Sequence, residues 1–153
     1  MTRNEPVLAP VYPFMRSEEL GRLLQEAGYD IETVASEFRP TYRMLSEPGF
    51  MIRLLGALDE RPDEYHSISV WRFIPVSPAV LAEVMHRSKS QNMFALLLAH
   101  RSGQLLVTHN ILIGGGVTAH HLKHQLQFWR SDLARVLRVV RESQGDYDGR
   151  RLN

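Results

Sequence analysis

The sequence predicts an α+β domain built on a single antiparallel sheet, in the order helix, strands, helix, hairpin, helix. Three observations carry that expectation. Apolar residues alternate with a period of two across 29–74 and again across 94–113, the period of a strand with one buried face. Apolar stripes at spacings of three and four run through 20–27, 80–85 and 122–140, the period of a helix lying on a core. Three successive glycines, Gly114-Gly115-Gly116, separate the last alternating run from the longest helical one.

Each element follows from local chemistry. Residues 1–16 hold Pro6, Pro10 and Pro13 among apolar residues. Proline lacks the amide proton and fixes φ, so this is an extended lead-in, expected to lie on the body through Val7, Leu8, Val11, Tyr12 and Phe14. Ser17 is the expected N-cap of a first helix, with Glu18 and Glu19 at its positive end. Leu20, Leu23, Leu24 and Ala27 form its stripe, and Gly28 supplies a left-handed stop. Strands are expected at 29–36, 41–46, 50–56 and 65–74, punctuated by Pro48-Gly49 and Arg61-Pro62-Asp63. In the last of these, Ile68, Val70, Arg72 and Ile74 fall on one side and Trp71 and Phe73 on the other. Apolar residues on both sides predict a central strand.

Ser77-Pro78 opens a second helix, because a proline in the first turn sacrifices no hydrogen bond. Its apolar face is Val80, Leu81, Val84 and Met85. Residues 94–99 and 104–113 read as a hairpin joined by His100-Arg101-Ser102-Gly103. Thr118 caps a last helix expected to end near Glu142, roughly 37 Å long at 1.5 Å per residue. Leu122, Leu126, Trp129, Leu133, Val136 and Val140 form its seam. The polar residues 144–153 are expected to fray. With no repeat, linker or low-complexity run, 1–153 reads as one domain.

Composition narrows the function. The 153 residues are 44% hydrophobic, enough for a core without a metal or disulfide. There is no cysteine, which removes disulfides, zinc–thiolate and iron–sulfur sites and thiol catalysis, and fits a reducing cytoplasm. Lys plus Arg is 18 and Asp plus Glu is 17, a net charge of +1, so no global field draws nucleic acid or anionic lipid. No signal peptide and no membrane span are expected.

Candidate sites are few. His120 and His124 stand four apart on the last helix, a spacing that can chelate a metal. His121 sits where a zinc protease would carry glutamate, and both rings lie opposite the apolar seam, so a polar helix face is the simpler reading. His109 alternates with Val107 and Ile111, a core-type placement. Gly114, Gly115 and Gly116 could cradle an anion on backbone amides. No Lys-Ser or Lys-Thr follows them, and Ala119 breaks the dinucleotide glycine spacing, which favours a tight turn needing positive φ. Arg130, Arg135, Arg138 and Arg141 give the last helix a basic side, without the interleaved aromatics of single-strand binders. No Gly-x-Ser-x-Gly elbow or catalytic dyad emerges.

Three short stretches resemble the YbjN family, labelled bacterial sensory transduction regulators. Leu-Leu-Gln-Glu-Ala-Gly-Tyr-Asp at 23–30 looks like its first-helix exit. Asn-Ile-Leu-Ile-Gly-Gly-Gly-Val-Thr at 110–118 looks like its last-strand junction. Leu-Gln-Phe-Trp at 126–129 resembles its final helix. The resemblance implies the type III secretion chaperone-like fold, whose best-known members are homodimers that hold extended client segments. It would place the middle helix, Val80, Leu81, Val84 and Met85, at a dimer interface. The family's Asn-Trp-Asn-like stretch is missing, since Met85-His86-Arg87-Ser88 stands there. The expected function is therefore a non-enzymatic, cytoplasmic, homodimeric binding module, chaperone- or adaptor-like, with a protein client and no cofactor. A metal-dependent enzyme or sensor using His120 and His124 is the alternative. Weak nucleic-acid binding through the last helix is a second.

Overall fold

A computed structural model describes residues 8–35 and 39–152. The elements are β1 (Val11–Tyr12), α1 (Ser17–Glu26), β2 (Ile31–Val34), β3 (Thr41–Met44), β4 (Phe50–Leu55) and β5 (Ser67–Pro75). Then come α2 (Pro78–Ser88), β6 (Leu96–Ala99), β7 (Gln104–Leu112), β8 (Val117–Thr118) and α3 (Ala119–Arg151). The order is the expected one. Val7 and the end of the strand expected at 29–36 fall outside the described residues.

Six strands form one antiparallel sheet in the order β2-β3-β4-β5-β7-β6. The long strand β5 is central, as its two apolar sides predict. The expectation of a single sheet needs correction, because β1 and β8 form a separate two-stranded ribbon. The triple glycine makes that ribbon. Gly115 and Gly116 have φ of +96° and +107°, a region closed to most side chains, and the turn lays Val117–Thr118 beside Val11–Tyr12. A Cβ on Gly116 would lie 2.8 Å from Val11 Cγ1. Gly116→Ala is therefore expected to destabilise the fold by about 2 kcal/mol. Gly145→Ala, on α3 with open space around it, is expected to stabilise it by about 0.5–1 kcal/mol. Urea unfolding of the two variants checks the contrast.

One face of the sheet carries the core. Phe50, Ile52, Leu54, Ile68, Val70, Ile74, Leu105, Val107 and Ile111 are all buried on it. Over them lie Leu20, Leu23 and Leu24 of α1, Val80 and Val84 of α2, and Leu122, Leu126, Trp129, Leu133 and Val136 of α3. The Trp129 indole stacks on the Phe50 ring, centroids 4.5 Å apart. Beyond Val136 the buried line passes through Val139 and Ser143, while Val140 is only half-buried. A straight helix drifts by about 20° per heptad from a 3.5-residue repeat, so the seam rotates one position as α3 meets α2.

Two helix boundaries differ from expectation. The N-cap of α1 is Arg16, whose N–H donates to Glu19 Oε2 at 3.0 Å. Ser17 is instead held by Tyr42: their hydroxyls lie 2.8 Å apart and the Tyr42 hydroxyl also donates to the Ser17 carbonyl. The tail does not fray at 144, and α3 runs on to Arg151. Ser143 is buried, Tyr147 packs against the core, and Arg87 of α2 donates to the Asp146 carboxylate. That guanidinium holds the Asp146 carboxyl below its usual value. Thr118 Oγ1 accepts from His121 N at 3.1 Å and Gly28 has φ of +88°, as expected, while Ser77 stands at the N-cap of α2 before Pro78 with no capping bond from its side chain.

Candidate functional site

All three helices pack on the face described above, and the opposite face of the sheet is left without a helix. Strand register fixes its composition. Met51, Trp71, Thr108 and Leu96 lie in one cross-strand row, and Phe73, Leu106 and Leu98 in the next. None of these belongs to the buried core. Trp71 and Phe73 are half-buried, and Leu96 and Leu98 leave 58% and 42% of their surface to solvent. A shallow groove of about 380 Å³ runs between Arg53, Ser69, Trp71, Phe73, Leu106 and Thr108. Contiguous apolar surface left open in this way is, in proteins generally, the property that distinguishes interaction surfaces from the rest of the exterior.

The rings on this face are held in place. The Arg53 guanidinium lies over the Trp71 ring at 5.0 Å, while its Nε donates to Thr41 Oγ1 at 2.9 Å. The His100 ring meets Phe73 edge-on at 4.9 Å. His100 sits in the hairpin turn, where Gly103 has φ of +78° and donates to the His100 carbonyl at 3.0 Å. The turn chemistry thus delivers a polar ring to the rim of the apolar patch.

The patch continues to an edge. Strand β6 is outermost, and an apolar edge with free backbone groups is a natural pairing site. Next to it, Phe94 and Phe128 are exposed and their rings lie 5.1 Å apart. The start of β6 is anchored from α3. Asp132 is buried, and its Oδ2 accepts from Phe94 N at 2.6 Å and Ala95 N at 2.8 Å. Arg135 lies 3.9 Å from the other carboxylate oxygen and donates to the Asn92 carbonyl at 3.1 Å.

The sites read from the sequence fare unevenly. Val80 and Val84 are buried in the protomer's own core against α3 and are not free to form an interface, while Leu81 and Met85 are half-buried. The middle helix faces inward because α3 is long enough to cover it. Two of the three amides of the glycine turn are already taken: Gly114 N donates to the His66 carbonyl at 3.1 Å and Gly116 N to the Ile113 carbonyl at 2.9 Å. His120 and His124 are exposed, with rings edge to face at 4.4 Å. Among the described residues no group of three metal-ligating side chains includes them. His109 faces the core side and its Nε2 lies 3.1 Å from Gln125 Oε1. On the basic side of α3, Arg130 is paired with Glu47 and Arg135 is engaged as above. Asp132 was missed. A lone acid inside an apolar seam is the signal that could have revealed it.

The architecture is an α+β domain with one covered and one open sheet face. No family model and no curated protein matches the sequence. Solved structures share the fold, two of them as follows. An uncharacterised protein from Methanothermobacter thermautotrophicus superposes with a TM-score of 0.56 at 15% identity, over 84% of this chain and 98% of the other. YbjN from E. coli, named a proposed transcription regulator, superposes with a TM-score of 0.53 at 13% identity, over 84% and 92%. The fold is thus YbjN-like. Among the described residues no helix is long and apolar enough to cross a membrane.

Proposed function

We propose that this chain is a non-enzymatic, cytoplasmic protein-binding module, chaperone- or adaptor-like, that works as a homodimer on a client protein. One observation carries the reading: Met51, Trp71, Phe73, Leu96, Leu98 and Leu106 form a contiguous apolar face that no helix covers. The client lies on that face. The second copy pairs at the β6 edge, where an antiparallel β6–β6 contact is self-complementary and brings Phe94 and Phe128 of both copies under cover. A regulatory role like that proposed for YbjN would run through protein contacts at this face.

The two parts are tested separately. A photoreactive phenylalanine analogue at position 71 is expected to crosslink to protein in the native cell, and one at the exposed Arg138 is not. Absence of protein adducts from position 71 would remove the client reading. Light scattering at micromolar concentration is expected to show a dimer that the double variant Phe94→Lys, Phe128→Lys converts to monomer, because both rings would be replaced by unpaired charges inside the contact. A monomeric wild type would remove the dimer alone.

A further inference from the structure

We infer that the open face selects an acidic, amphipathic segment of its partner, with a partner carboxylate seated on Arg53 and partner apolar side chains on Phe73 and Leu106. This rests on the reading that the open face binds protein. The charge distribution carries it. Among the described strand residues of this face, Glu32 is the only acid, and it is paired with Arg43. Arg53 makes no ion pair among the described residues. Its Nε is held by Thr41 and its plane by the Trp71 ring, so the two Nη groups are oriented but unneutralised. An oriented guanidinium beside a low-dielectric surface suits a bidentate carboxylate. The groove also lies next to the apolar rows, so a carboxylate there brings its flanking side chains onto Phe73, Leu106 and Leu98.

The same sheet face could be taken for a platform on which nucleic-acid bases stack. The ring contacts argue against that. Arg53 occupies the face of Trp71, and the Phe73 ring is met by His100, so neither ring is bare. The neighbours are aliphatic: Met51, Leu96, Leu98 and Leu106. Among the described strand residues of this face the cations are Arg43 and Arg53, and Arg43 is paired with Glu32.

The chain offers its own reporter. It has two tryptophans, and Trp129 is fully buried, so a change in emission on ligand addition comes from Trp71. Peptides displayed on phage are panned against the wild type and against Arg53→Glu, with Trp71→Asp as the control surface. Synthetic versions of the winners are titrated by Trp71 fluorescence. Wild-type winners are expected to pair Asp or Glu with Leu, Ile or Phe. Replacing that acid by its amide is expected to weaken binding about tenfold, the effect of one charge-assisted hydrogen bond. Arg53→Glu is expected to lose the acidic winners and to recover binding when their acid is changed to lysine. That rescue separates recognition from simple misfolding. Apolar winners with no acidic bias would overturn the inference and leave the binding reading intact. No enrichment over Trp71→Asp would overturn both. Quenching of Trp71 by single-stranded RNA, without peptide enrichment, would replace the proposal with nucleic-acid recognition.

Discussion

Trp129→Ala is expected to lower the unfolding free energy by about 4 kcal/mol, the usual cost of deleting a large buried aromatic. The indole is fully buried, stacks on Phe50 at 4.5 Å, and joins α3 to the centre of the sheet. Few neighbours can close the void, because Leu126, Leu133 and Phe50 are themselves held by the core around them. A second variant sharpens the test. The indole Nε1 is buried without a hydrogen-bond partner among the described residues, and an unsatisfied donor costs roughly 1–3 kcal/mol. Trp129→Phe removes that donor while keeping a ring, so it is expected to cost well under half as much as alanine. Urea unfolding followed by circular dichroism checks both. If phenylalanine proves as harmful as alanine, indole shape and not ring stacking holds the joint.

Much of the fold was legible because the local signals agreed with one another. The alternation in 65–74 located β5, Gly28 and Thr118 located helix ends, and the seam from Leu122 to Val136 located the covering helix. The misses arose where tertiary contacts override local preference. Ser17 is a good cap in isolation, but Tyr42 claims its hydroxyl. Residues 144–151 are polar and rich in glycine, yet Arg87 and the buried Ser143 hold them helical. The β1–β8 ribbon joins residues too far apart in the chain for any local pattern to show it. The site was half legible. Trp71 and Phe73 were correctly set on one side of β5, but alternation cannot say whether an apolar side is covered by helices or left open. The stripe on α2 was open to the opposite error, since an apolar helix face reads the same whether it meets a second copy or the protomer's own α3.

Asp132→Ala is expected to cost about 3 kcal/mol and to act on one element above all. The alanine leaves the Phe94 and Ala95 amides without the carboxylate that now takes both. Bonds to a charged acceptor are worth roughly 1.5–3 kcal/mol each, offset in part because a buried carboxylate is itself costly to desolvate. Asp132→Asn keeps one acceptor oxygen and is expected to lose about half as much. The location of the loss matters more than its size. Strand β6 pairs on one side alone, with β7, and its start is tied to α3 through Asp132. Without that tie, amide exchange across 96–99 is expected to rise towards that of an unprotected edge, while β4 and β5 keep their protection. The Phe94 ring should leave Phe128, and the dimer proposed at the β6 edge should weaken with it. A uniform rise in exchange over the whole sheet would instead make Asp132 a general core residue and overturn its role as the tie of the β6 edge.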